Sequence, residues 1–125
     1  MIRLSEKEFD RAVERALSRI PDEIAVHLEN VLVTVQRRPS PELLEDMGVP
    51  SGETLLGLYQ GVPLDERSVM DLPSPPDTIF IFQEPLEEMC ESGRELEREI
   101  EITVVHEIAH HLGIEEDRLI ELGYG

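Results

Sequence analysis

Residues 92–113, SGRELEREIEITVVHEIAHHLG, contain a helix with both of its ends written into the sequence. Ser92-Gly93-Arg94-Glu95 has the spacing of a capping box, in which a serine hydroxyl accepts a backbone N–H three residues on. From there Leu96, Ile100, Val104, Val105, Ile108, Ala109 and Leu112 recur at helical spacing. Gly113 supplies the stop, because glycine takes left-handed backbone without steric cost. A helix turns about 100° per residue. With His106 at 0°, residues Ile102, Val104, Val105, Ile108, Ala109 and Leu112 fall in an arc from roughly 160° to 320°. His106 and His110 lie on the opposite side, about 40° apart. The spacing predicts a helix that buries one face and presents two imidazoles on the other.

His106-Glu107-Ile108-Ala109-His110 reads H-E-x-x-H. Two histidines one turn apart can each offer a ring nitrogen to a single zinc ion. Glu107 stands about 100° round the helix, too far to join the same ligand shell easily, yet within reach of a metal-bound water as general base. His111 projects away from His110 and is expected to pack or to make an outer hydrogen bond. His27 is expected to be an ordinary surface or core residue.

A catalytic zinc site usually has three protein ligands and one open position. Extending the pattern as H-E-x-x-H-x-x-G-x-x puts Glu116 next, with Gly113 turning the chain back toward the metal. Asp117 is one residue away, and Glu121 is a further candidate. The same acidic residues also suit the solvated first turn of a helix, where they favour its dipole. Only residues 111–125 follow His110 here, too few for the Met-turn or the downstream helix ligand of larger zinc peptidases.

The run His106 to Leu122 (HEIAHHLGIEEDRLIEL), together with LLGLYQGVPLDERS and DTIFIFQEPLEEMC upstream, resembles the small bacterial zincin-like metallopeptidase family. The resemblance covers nearly the full length. It implies a minimal zincin-like fold, with the active-site helix near the C-terminus. Carried over by position, it implies His106, His110 and Glu116 as metal ligands and Glu107 as the base.

The rest of the chain is consistent with one domain, residues 1–125. Ser5-Glu6-Lys7-Glu8 again has capping-box spacing, and Phe9, Val13, Ala16, Leu17 and Ile20 form a helical stripe ending before Pro21. A short turn or helix follows to Leu28. Val31–Val35 is rich in β-branched residues and reads as a buried strand. Glu42 to Met47 reads as a short helix closed by Gly48. Thr54–Tyr59 and Thr78–Phe82 read as two more strands, and Leu86–Cys90 as a helical turn. The expected class is α+β, with a small mixed sheet of about three to four strands packed on helices. The connection Gly61 to Asp77 carries Pro63, Pro73, Pro75 and Pro76, and a stretch this long in a compact domain is expected to be a rim of the substrate cleft. Tyr59 and Tyr124 are candidate donors to a developing oxyanion.

The chain is 40% hydrophobic with a formal net charge of −17. That balance leaves enough apolar residues for one core. It disfavours nucleic acid and anionic membranes, which call for a basic footprint. A basic peptide or protein partner would instead be attracted. Cys90 is the only cysteine, so no intrachain disulfide is expected. With no apolar signal core at the start and no long apolar run, a cytoplasmic protein is expected. The expected activity is zinc-dependent peptide hydrolysis through a metal-bound water with Glu107 as general base. The alternative is a non-catalytic metal-binding or partner-binding protein retaining the fold.

Overall fold

The structure is a computed structural model that describes residues 1–61 and 77–124. The elements follow in the order α1 (Glu6–Ser18), α2 (Asp22–Ala25), a 3-10 turn (Val26–Leu28), β1 (Val31–Gln36), α3 (Pro41–Asp46), β2 (Gly57–Gln60), β3 (Asp77–Phe82), α4 (Gln83–Met89), α5 (Gly93–Leu112) and α6 (Glu116–Glu121). This is a mixed α+β architecture with a three-stranded sheet among the described residues. The segment expected to rim a cleft falls mostly in residues 62–76, outside the described residues.

The sheet is ordered β1-β3-β2. β3 is the central strand, parallel to β1, with Val31 opposite Asp77 and Gln36 opposite Phe82. It is antiparallel to β2, with Gly57 opposite Ile81 and Gln60 opposite Thr78. Ile79 and Ile81 alternate into the core, and Phe82 follows them. The expectation that Val31–Val35 forms a buried strand is corrected: β1 is an edge strand, and Leu32 is 53% exposed. β-branched composition signals a strand but does not distinguish edge from centre. The second strand also starts later than its apolar run suggests, at Gly57 rather than Thr54.

Helix α1 forms as its sequence requires. The Ser5 hydroxyl accepts the Glu8 N–H, and the Glu8 carboxylate accepts the Ser5 N–H, completing the capping box. Phe9, Ala12, Val13 and Ala16 are buried, and the helix packs on α5. Arg15 and Arg19 both pair with Glu97 across that contact.

The long helix α5 packs against α1, α4, β2 and β3. The Ser92 hydroxyl accepts the Glu95 N–H at its start. Gly113, with φ of +74°, ends it, and the Ile114 N–H reaches back to the Ala109 carbonyl. Leu96, Ile100, Val104, Val105, Ile108 and Ala109 are buried as the pattern predicts. Leu112 is not, at 40% exposure. A helix of 20 residues spans about 30 Å, whereas strands of four to six residues span only about 13–20 Å. The helix is therefore longer than the sheet it crosses.

Candidate functional site

Helix α5 sets the geometry of the site. The His106 and His110 rings lie on its least covered face, with centroids 6.3 Å apart and planes inclined by 48°. His106 is half-buried and His110 is exposed. Beside them the helix is covered more fully than the projection implies. Thr103 is buried and Glu107 half-buried, because β2 runs close alongside. Gly57 makes that approach feasible: a Cβ there would stand 2.6 Å from Thr103 Cγ2 and 3.8 Å from Glu107 Cγ. A glycine inside the apolar run LLGLYQ permits such an approach but does not say which element makes it.

Closeness to β2 fixes the environment of Glu107. The Tyr59 backbone N–H donates to its carboxylate. Burial nevertheless dominates and raises its pKa above the usual carboxylate range, opposed by that hydrogen bond and by the neighbouring His110 and His106. The carboxylate is thus held by β2.

His106 has a further partner that the sequence did not announce. Its Nε2 lies 2.5 Å from the main-chain oxygen of Tyr124. Tyr124 is itself held in place: its hydroxyl donates to Glu101 Oε2 at 2.5 Å, and the Arg98 guanidinium lies 5.1 Å from its ring centroid. Arg98 also donates to Glu101 Oε2 at 3.0 Å and to the Gly123 carbonyl at 2.6 Å. Burial and the Glu101 carboxylate push the Tyr124 phenol up to about 12. The expectation that Tyr124 donates to an oxyanion is therefore corrected, since its hydroxyl is committed to a buried carboxylate. The Tyr59 hydroxyl likewise donates to Asp77 Oδ2 at 2.5 Å. The Tyr59 ring stacks on His111, with centroids 4.0 Å apart and planes within 17°, so His111 packs rather than joining the pair. His27 is exposed in the 3-10 turn.

The third expected ligand stands apart. Glu116 opens α6 and is exposed, as are Asp117 and Glu121. Among the described residues, no group of three His, Cys, Asp or Glu side chains is gathered closely enough to hold a metal ion. The His106 and His110 rings are neighbours on α5, and Glu116 is not gathered with them. In chemistry the donor set suits zinc, with two imidazole nitrogens and a carboxylate oxygen. In placement only the histidine pair does.

Among the described residues, no helix is long and apolar enough to cross a membrane. A search of the curated proteins found no match to this chain. The fold is similar to that of a conserved hypothetical protein from the bacterium T. thermophilus, with a TM-score of 0.56 and 23% identity over 91% of this chain and 99% of that one. A family profile described as zincin-like metallopeptidase matches residues 28–125. That stretch takes in the whole sheet, α5 with its H-E-x-x-H, and the Tyr124 contact to His106, and by this match the chain belongs to the zincin-like metallopeptidase family.

Proposed function

We propose that this protein is a zinc-dependent peptidase in which His106 and His110, with Glu116 as third donor, hold the metal and Glu107 is the general base. The observation that carries the reading is the placement of Glu107. It adjoins His106 in sequence, is influenced by the charges of His110 and His106, and is held by the Tyr59 N–H of β2. When bound, zinc supplies Lewis acidity that polarises a carbonyl and makes water a stronger acid. Glu107 takes a proton from the attacking water and returns it to the leaving amine. The tie to Tyr59 keeps the carboxylate from swinging into solvent between those two transfers.

Among the described residues, β2 stands at one end of the strand order, and an extended peptide can add to a sheet edge through main-chain hydrogen bonds, which leaves side-chain selectivity loose. The net charge of −17 favours basic peptides over acidic ones and disfavours nucleic acid and anionic membranes as partners. A lone, buried cysteine supports a reducing, cytoplasmic setting.

The test is metal content and hydrolysis on the same preparations. Wild-type protein is expected to hold about one equivalent of zinc, His106→Ala to lose it, and Glu116→Ala to bind it less tightly. Glu107→Gln is expected to keep the zinc and lose cleavage of a peptide library. Undiminished cleavage by metal-loaded Glu107→Gln sinks the reading. The separation of Glu116 from the histidine pair favours the competing reading, a non-catalytic metal-binding or partner-binding protein that keeps the fold. Four protein donors in an X-ray absorption spectrum, with no turnover, would support that alternative.

A further inference from the structure

We propose that the cavity at the carboxyl ends of β1 and β3 binds a small zwitterion, a free aliphatic α-amino acid. Gln83 and Glu87 take its ammonium group, and Arg3 and Arg37 take its carboxylate. None of these residues belongs to the histidine-bearing helix, and the site requires neither metal nor turnover.

The fold builds this cavity where two parallel strands end. Arg37 and Arg38 follow β1 directly and Gln83 follows β3 directly. The Glu84 N–H donates to the Arg37 carbonyl at 2.9 Å, which ties the two strand ends together. Crevices at the carboxyl ends of parallel strands are where open sheets receive ligands. The space is about 240 Å³. That exceeds the ~150 Å³ of a cavity that holds benzene and falls below the roughly 300–1,000 Å³ of sites for drug-sized ligands. It suits a molecule of amino-acid size.

The floor offers acceptors and no donors. Gln83 is 7% exposed and Glu87 5%, and both line the cavity. Gln83 Nε2 donates to the Leu4 carbonyl at 3.2 Å and to Glu87 Oε2 at 3.1 Å. An amide nitrogen has two hydrogens, so both are committed and the open atom of Gln83 is its carbonyl oxygen. Glu87 Oε2 also accepts the Leu4 N–H at 2.8 Å. Holding residue 4 thus uses one oxygen of Glu87, and Oε1 has no donor among the described residues. Nor does Glu87 have a cation there, since Arg38 is spent on Glu84 and Glu88. A buried carboxylate held only by neutral N–H groups lacks a counter-charge. An ammonium group supplies that charge and three donors.

The rim offers the opposite. Arg3 is exposed and makes no ion pair among the described residues. The Arg37 side chain is 80% exposed and meets only Glu84, at 3.8 Å. Guanidinium groups with open donors suit a carboxylate. A pure anion would meet Glu87 and a pure cation would meet the arginines, whereas a zwitterion satisfies both ends. Leu4 adds apolar surface for a short side chain.

Two-dimensional nitrogen–proton NMR at pH 7 tests this with glycine, alanine, valine and leucine. Each is compared with its N-acetyl derivative, which lacks the ammonium, and its amide, which lacks the carboxylate. At least one free amino acid is expected to shift the amides of residues 3–4, 37–38 and 83–88 saturably. Its two derivatives are expected to bind at least about 10-fold more weakly, as loss of a charged hydrogen-bond partner entails. Glu87→Gln should weaken the amino acid by a similar factor. The double variant Arg3→Met, Arg37→Met, which changes two exposed side chains, should erase the preference for the acid over its amide. No saturable shift with any of the four overturns the proposal. A derivative that binds as well as its parent does so too, since the cavity would then be a plain cation or anion site. Wild-type affinity in Glu87→Gln, shown to be folded by circular dichroism, also overturns it. Should that variant not fold, an unchanged preference in the arginine double variant does the same.

Discussion

Gly57 and Thr103 interlock: the space a side chain on Gly57 would fill is taken by the Thr103 methyl, 2.6 Å from where that Cβ would stand. The Phe80 carbonyl oxygen would stand 3.1 Å from the same Cβ. Strand β2 can lie against α5 only because position 57 has no Cβ. Gly57→Ala is expected to destabilise the protein by about 1–3 kcal/mol, the usual cost of overpacking. Thr103→Ser, which removes the methyl, should recover part of that loss in the double variant, as neighbouring sites couple. Urea denaturation of the four proteins measures both effects. Additive costs would show that the contact does not limit the approach.

The stacked pair Tyr59 and His111 joins β2 to the last turn of α5. A double-mutant cycle with Tyr59→Leu and His111→Ala should give a coupling of about 0.5–1 kcal/mol, in the range for aromatic pairs. Tyr59→Phe should keep that coupling while losing the bond to Asp77. A coupling near zero would mean that the stack contributes nothing to holding strand and helix together.

Burial, reinforced by Glu95 and Glu99, pushes the Cys90 thiol up to about 11. The thiol is neutral and inert across the working range, and a disulfide reagent at pH 8 should label it only in denaturant. The linkage has a definite sign. A raised pKa in the folded state favours the protonated form, so its contribution is complete below the ordinary value of 9.0 and is lost as pH climbs toward 11. Cys90→Ala should therefore lose less stability between pH 8 and pH 11 than wild type does.

Ser5 caps α1 from both directions. Ser5→Ala should cost roughly 1 kcal/mol and Ser5→Gly only a few tenths. Ser92→Ala, where the serine hydroxyl accepts the Glu95 N–H, should cost a similar amount. Thermal melts at one pH compare them directly. Equal losses for Ala and Gly at position 5 would mean that the hydroxyl bond is not what stabilises the helix start.

Local signals were legible in the sequence, and long-range ones were not. Both serine caps, the Gly113 stop and the helical stripe of α1 depend on residues three or four apart, and all four are present. The pair His106 and His110 shares a face because the helix that carries them forms as its pattern requires. What spacing does not carry is which neighbour covers which face. Thr103 and Glu107 project away from the apolar arc, yet β2 covers them, and only the fold discloses that Gly57 arrives there. Val31–Val35 has strand composition, but its place at an edge follows from pairing with a strand far along the chain. The bond from His106 to Tyr124 spans 18 positions, beyond any periodic signal. Glu116 was read from the spacing of a longer motif, and that spacing alone does not carry it to the histidines.

Helix α1 lies outside residues 28–125, the part that carries the family likeness, yet its buried Phe9, Ala12, Val13 and Ala16 complete the core against α5. The two helices stand far apart in the order of synthesis. An emerging chain offers its first apolar stripe long before the ribosome delivers the helix that covers it. The N-terminal helix must wait, marginally helical and sticky, until the histidine-bearing helix has been made. That later helix is thus also the piece whose arrival ends the vulnerable stage of the chain's own folding.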